Sequence, residues 1–351
     1  MSDPGVGIYS IATAYPPHCF RQAEIMAKAA EVFGHRPELM ERMARTYGNA
    51  GVKQRNSCVP LEWYRSPHGW PERMALFEEH AVKLLATAAE RALADAGVAA
   101  PEIAATVTVS STGIVTPSLD SLLQGPLGLS PTVQRLPVFG LGCAGGVIGL
   151  ARAAAIAKSM PGKPVLFMCT ELCGLTFRAG DDSKANIIAT TIFGDGAAAV
   201  VLRAGAGTPR ARIRGWGEHT WPGTRDIMGW TVEDDGLGVV FSRSIPDLVR
   251  TMMRPVTDAF LSTQGLTQSD IRGLIVHPGG ERVLEALEDC YGLPRGDLVS
   301  ARGVLADHGN MSAVTVLAVL RRTLAQDAAG PHLMAALGPG FSVGMCLLDL
   351  M

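Results

Sequence analysis

The chain has 351 residues, 47% hydrophobic and 18% charged, with 40 glycines, seven cysteines and a formal net charge of −2. About three quarters of the unfolded surface can be buried at that length, and the composition points to a compact α/β enzyme rich in buried sheet. Near-neutrality gives no electrostatic case for nucleic acid or an anionic membrane, and no apolar run approaches the ~20 residues a bilayer requires.

The opening Met-Ser-Asp-Pro-Gly lacks the basic and apolar regions of a secretory signal. The cysteines show neither C-x-x-C pairs nor zinc spacing, so reduced thiols, no metal and a cytoplasmic location are expected. Gly7–Ala14 reads as a short apolar segment, closed by Pro16-Pro17. A helical pattern then runs from Gln22 to about Tyr47, followed by a small basic loop, Gly51–Arg55. Trp63, Tyr64 and Trp70 lie in a segment expected to cover part of an opening. Glu72–Gly97 reads as a long alanine-rich helix stopped by Gly97. Ile103–Ser110 reads as a buried strand, Ser118–Leu127 as a helix, and the run before Cys143 as a second buried strand. Pro164–Cys169 reads as a third. Ile192–Ala197 is a glycine-bounded turn, and an Ala/Val strand runs on to Leu202. The polar, glycine-rich stretch Gly205–Pro209 separates an expected N-terminal half, 1–205, from a C-terminal half, 206–351.

The second half repeats the first. Ala96-Gly97-Val98…Ile103…Val107-Thr108-Val109 resembles Gln264-Gly265-Leu266…Ile271…Ile275-Val276-His277 at an offset of 168 residues. Gly142-Cys143-Ala144-Gly145 resembles Gly309-Asn310-Met311-Ser312 at an offset of 167. Both elbows open Ala/Val-rich helices, so two similar α/β units related by a pseudo-twofold are expected, with Cys143 facing Asn310 and His277 at a strand end beside them.

Cys143 lies in Val138–Ala151, a strand, elbow and helix. Glycines there remove Cβ obstruction around the sulfur. A thiol at a helix N-terminus is expected to have its pKa lowered toward neutrality. A nucleophilic thiol, an imidazole and an amide donor suit thioester exchange followed by enolate stabilisation. Taken singly, each also fits a structural reading: a packing cysteine, a His-Pro turn, or a capping asparagine.

Five ordered motifs, Gly142-Cys143-Ala144-Gly145-Gly146, Phe193-Gly194-Asp195-Gly196-Ala197-Ala198, His277-Pro278-Gly279-Gly280, Gly309-Asn310-Met311-Ser312 and Gly338-Pro339-Gly340, resemble the type III polyketide synthases, the chalcone-synthase-like branch of the thiolase superfamily. The resemblance spans essentially the whole chain. It implies a duplicated thiolase fold in α-β-α-β-α layers, a homodimer, a Cys143–His277–Asn310 catalytic triad, and acyl-CoA and malonyl-CoA as substrates, with no cofactor beyond these thioesters. It implies that Phe193 stands between a CoA tunnel and the cavity, and that Val239 replaces a second phenylalanine, leaving a smaller, aliphatic gate. It places Ser111, Thr112, Thr116, Cys173, Thr176 and the Gly338-Pro339-Gly340 loop at the substrate. Lys53 and Arg55 fall near the family's CoA-phosphate residues, where a solvated basic loop is the alternative.

The segment Trp221–Arg243 resembles bacterial alkylpyrone and alkylresorcinol synthases, which implies a long-chain fatty acyl-CoA starter. The alternatives are a type III synthase using aromatic or malonyl-only starters, a single-condensation ketoacyl synthase III-like enzyme, or a cysteine thioester hydrolase.

Overall fold

A computed structural model describes residues 5–34, 46–205, 207–326 and 328–351. The strands are β1 (Val6–Ala14), β2 (His18–Arg21), β3 (Gln54–Ser57), β4 (Ala105–Ser110), β5 (Gln134–Phe139), β6 (Pro164–Leu172), β7 (Asp195–Ala204), β8 (Ala211–Thr220), β9 (Met228–Glu233), β10 (Gly236–Phe241), β11 (Gly273–Val276), β12 (Gly330–Gly338) and β13 (Ser342–Leu350). The helices are α1 (Gln22–Phe33), α2 (Trp70–Ala96), α3 (Leu119–Leu127), α4 (Gly145–Ser159), α5 (Lys184–Ile192), α6 (Ile245–Thr263), α7 (Glu281–Tyr291), α8 (Val299–His308) and α9 (Ala313–Leu324).

Nine strands join in the order β11-β12-β13-β8-β1-β7-β6-β4-β5. This order carries the internal repeat. In the first half β4 and β6 run parallel, while β6–β7 and β7–β1 are antiparallel. In the second, β11 and β12 run parallel, while β12–β13 and β13–β8 are antiparallel. The two four-strand units meet where Val6–Ile8 pairs with Ala211–Ile213. Near-continuous apolar strands such as β6, buried along its whole length, require cover on both faces. The helices α4 and α9 pack against each other beneath this sheet. Gly146 permits the close crossing, because a Cβ there would strike the Ala313 carbonyl and lie 2.7 Å from Val316.

Two expectations are corrected. The run before Cys143 is a strand but not a buried one: five of its six residues are exposed, since β5 ends the sheet and has a neighbour on one side only. The first helix stops at Phe33, with Gly34 following; the rest of the expected helix lies largely outside the described residues. The expected long helix is present as α2, closed by Gly97 in the left-handed conformation.

Candidate active site

The site forms where the two repeated elbows meet. Cys143 sits in a single helical turn, Gly142–Ala144, that leads directly into α4. Gly142 has φ +48°, and a Cβ on it would lie 2.6 Å from the Pro339 ring. The Gly338-Pro339-Gly340 loop thus packs on the back of the elbow; a Cβ on Gly338 would lie 2.6 Å from that of Ala144. Its role is to hold the nucleophile's turn, and the preceding Leu337 reaches the cavity instead.

Asn310 is the mirrored residue. Its side-chain oxygen accepts from the Ser312 backbone N–H at 2.8 Å, so the amide NH₂ is the group left to face outward, with only a 3.4 Å approach to the Gly279 carbonyl. Ser312 pays for this local turn with φ +47°, unusual for a non-glycine residue. His277 follows β11, its backbone N–H donating to Ala335 at 3.0 Å. Both its ring nitrogens are buried and unpartnered. Buried imidazoles ordinarily find partners, so these nitrogens are available to a bound molecule. One cavity of about 420 Å³ is lined by Cys143, His277 and Asn310 together.

Burial determines the resting charge state. Desolvation pushes the Cys143 thiol up to about 12, against a lowering contribution from Ser312, and pushes His277 down to about 3. The expected near-neutral thiol is therefore corrected: removal from water outweighs the helix N-terminus. A neutral thiol and a neutral imidazole line the cavity.

Behind the elbows lies a buried acid. Glu171 is fully buried and accepts from the Ser111 backbone at 3.0 Å, the Thr112 hydroxyl at 2.8 Å and the Ser312 hydroxyl at 3.3 Å. The Ala313 N–H at the start of α9 also donates to it. Burial raises it to about 7 despite these donors. Ser111 and Thr112 thus serve this network and line neither the triad cavity nor the second, apolar one. The Ser111 hydroxyl accepts from Gly142 N–H at 2.9 Å and the Thr112 hydroxyl from Leu172 N–H at 2.9 Å. A lone acid inside the apolar run Pro164–Leu172 was the signal for this network. Thr116 is exposed and lies off the triad cavity.

Cys173, Thr176 and Phe193 line a second, predominantly apolar cavity with Ile25, Ala29 and Phe177. Helix α5 divides the two spaces: Ile188, Thr191 and Ile192 face the triad, whereas Ala189, Thr190 and Phe193 face the apolar cavity. The expected aliphatic gate is also corrected. Val239 is half-buried on β10 and does not reach the triad cavity, but Phe241, two residues along the same strand face, does. Phe241 packs 5.8 Å from the Phe193 ring, and Trp230 packs 6.2 Å from it. The wall is aromatic.

The basic loop divides as well. Lys53 is exposed, while Arg55 is 6% exposed and its guanidinium donates to the Thr190, Thr191 and Phe193 carbonyls and to Gln22. Those contacts commit both terminal nitrogens to backbone carbonyls and Gln22, away from solvent. The cations that border the triad cavity are instead Arg243 and Arg282, both exposed.

Residues 5–206 match the family of chalcone and stilbene synthases, N-terminal domain, and residues 217–349 match its C-terminal domain. A 1,3,6,8-tetrahydroxynaphthalene synthase from Streptomyces peucetius is 36% identical over 99% of this chain and 93% of its own. The alpha-pyrone synthesis polyketide synthase-like Pks18 of Mycobacterium tuberculosis is 30% identical over 98% of this chain and 91% of its own. The crystal structure of the Streptomyces coelicolor tetrahydroxynaphthalene synthase, a bacterial type III polyketide synthase, superposes with a TM-score of 0.93 at 27% identity, covering 98% and 99% of the two chains. PKS-I from the brown alga Ectocarpus siliculosus gives the same TM-score and identity over the full length of both. The two domain matches, the relatives covered over nine-tenths of their length and the shared thiolase-like fold establish that the chain belongs to the chalcone and stilbene synthase family, the type III polyketide synthases, which catalyse decarboxylative Claisen condensation.

Proposed function

We propose that this enzyme loads a long-chain fatty acyl-CoA on Cys143, extends it with malonyl-CoA and cyclises the product to an alkylpyrone or alkylresorcinol. The observation that carries the chemistry is the shared cavity in which Cys143, a partnerless His277 and the outward amide of Asn310 meet. In the loading step Sγ attacks the thioester carbonyl as its proton passes to the imidazole, and CoA leaves as the thiol with that proton. In extension, the bond between the malonyl α-carbon and its carboxylate breaks. Carbon dioxide departs, and the electron pair remains as an enolate. The Asn310 N–H and a neutral His277 N–H stabilise its oxygen without a desolvated charge. The α-carbon then attacks the acyl group, the C–S bond breaks, and Cys143 is regenerated.

The predominantly apolar cavity behind Phe193, about 80 Å³, supports an alkyl segment of the starter at that wall. Exposed Arg243 and Arg282 suit the CoA phosphates. The bare edge of β5, with Leu136 and Phe139 exposed, supports pairing with a second copy; light scattering of the purified protein tests the dimer. No helix among the described residues is long and apolar enough to cross a membrane, and a cytoplasmic enzyme remains our reading.

The 36% identity to a tetrahydroxynaphthalene synthase favours a second reading, a synthase using malonyl units alone. Mass spectrometry of products from malonyl-CoA with acetyl-, lauroyl-, stearoyl- or p-coumaroyl-CoA, or no starter, separates the two. Alkyl products from the long starters support the first reading; product from malonyl-CoA alone, unaltered by long starters, supports the second.

A further inference from the structure

The backbone that carries Asn310 is bound to the C-terminal end of α5. The last four carbonyls of a helix have no partner within it, and here each finds one. Ala189 accepts from Phe193 N–H at 2.9 Å and Ile192 from Asn310 N–H at 2.6 Å. Thr190 accepts from Arg55 at 2.8 Å and Thr191 from Arg55 at 2.6 Å. Arg55 reaches one residue further to the Phe193 carbonyl at 2.9 Å, and Gly194 N–H returns to the Asn310 carbonyl at 3.0 Å. Phe193 and Asn310 are therefore joined by an isolated parallel bridge, with Arg55 bound to the Thr191 and Phe193 carbonyls, one on either side of the Ile192 carbonyl that accepts from Asn310.

Burying a cation is costly unless it is paired, and among the described residues no carboxylate forms an ion pair with this one. Desolvation lowers it to about 10, with Asp195 opposing from a distance. What compensates are three carbonyls at the negative end of a helix and the side-chain oxygen of Gln22. Only a planar fork reaches the carbonyls on both sides of Ile192 at once.

We propose that Arg55 is a positioning residue for extension: through the α5 carbonyls it sets the location of the Asn310 amide, and so governs malonyl decarboxylation far more than acyl loading. This rests on the reading of Asn310 as an enolate-stabilising donor. Cys143 is seated independently, on the Ser111 hydroxyl and the Pro339 ring, which is why the two half-reactions should separate.

The test compares Arg55→Lys with the unchanged protein in two assays: Cys143 acylation by lauroyl-CoA, followed by intact mass, and carbon dioxide release from malonyl-CoA. Displacing a donor by an ångström costs about 100-fold. Decarboxylation is thus expected to fall about 10- to 100-fold in kcat, while acylation stays within about twofold. Gln22→Leu, which removes one Arg55 partner and a second donor to Thr191, should shift decarboxylation the same way by a smaller factor; it carries the test if Arg55→Lys does not fold. Unchanged decarboxylation in a folded variant, or parallel loss of both activities, overturns the proposal. Asn310→Ala run alongside separates the failures. If it leaves decarboxylation intact, the role of Asn310 falls and Arg55 with it; if it abolishes decarboxylation and Arg55→Lys does not reduce it, only Arg55 falls.

Discussion

The Ser312 backbone N–H donates to the side-chain oxygen of Asn310 at 2.8 Å, and this one bond determines which end of the amide the substrate meets. An amide whose oxygen is held by the main chain can offer only its N–H groups to the cavity. The strained φ of Ser312 is the local cost of that orientation.

Asn310→Asp should therefore preserve the turn, since a carboxylate oxygen still accepts from Ser312, yet present an acceptor where a donor is needed. Malonyl decarboxylation is expected to drop by about 100- to 1,000-fold, the usual cost of one lost oxyanion donor. Acylation of Cys143, followed by intact mass, should persist. Equal loss of both would mean that Asn310 only holds structure.

Glu171 gives a signed pH dependence. Its folded pKa is raised from an ordinary 4.5 to about 7, so the folded state favours the protonated form. That contribution is fully present below about 4.5 and is lost as pH rises through 7. Asp195, raised from 3.8 to about 6, acts in the same direction. His277, lowered from 6.5 to about 3, acts oppositely: its contribution is present above 6.5 and is lost as pH falls through 3. Thermal melts of Glu171→Gln should lose less stability between pH 4.5 and 7 than the unchanged protein, and an identical slope would remove Glu171 from the account.

The same substitution should make Cys143 more reactive. The Glu171 charge raises the thiol, so a neutral amide lowers it, and iodoacetamide should alkylate Glu171→Gln faster at pH 8. Slower alkylation would show that Glu171 organises the elbow more than it opposes the thiolate.

The aromatic wall makes its own prediction. Phe241→Ala opens the boundary between the triad cavity and Phe193 and should shift the range of starters consumed, measured by competition among acyl-CoAs of different length. Val239→Phe, on a residue that does not reach the triad cavity, should leave that profile unchanged; the reverse pattern would restore Val239 as the gate.

Packing of the two elbow helices can be checked separately. Gly146→Ala forces a methyl into the Ala313 backbone and should destabilise the protein by about 1–3 kcal/mol. Gly125→Ala, in α3 with open space at the Cβ position, should be neutral or stabilise by about 0.5–1 kcal/mol. Chemical denaturation reads both.

Much of this was legible in the residues. The repeat at offsets of 168 and 167 residues predicts two similar α/β units, and its second block predicts Cys143 facing Asn310. What could not be read were properties that depend on burial. Lys53 and Arg55 are two residues apart in one basic loop, yet Lys53 precedes β3 and is exposed, whereas Arg55 lies within β3 and is buried against the end of α5. The resemblance places Ser111 and Thr112 at the substrate, whereas both donate to Glu171 behind the elbow. Val239 and Phe241 share a strand face, and only their packing against Phe193 shows which forms the wall. The thiol pKa was misjudged for the same reason: a helix N-terminus is visible in sequence, whereas the depth at which the sulfur lies is not.

The central claim is that Cys143 carries the growing chain and malonyl units extend it. The most direct measurement incubates the protein and its Cys143→Ala variant with lauroyl-CoA, then with malonyl-CoA, recording intact mass and products in parallel. The account predicts a lauroyl adduct on the unchanged protein only, converted by malonyl-CoA into cyclised products longer than the starter. Free lauric acid without malonyl incorporation, or extended products from Cys143→Ala, would contradict it.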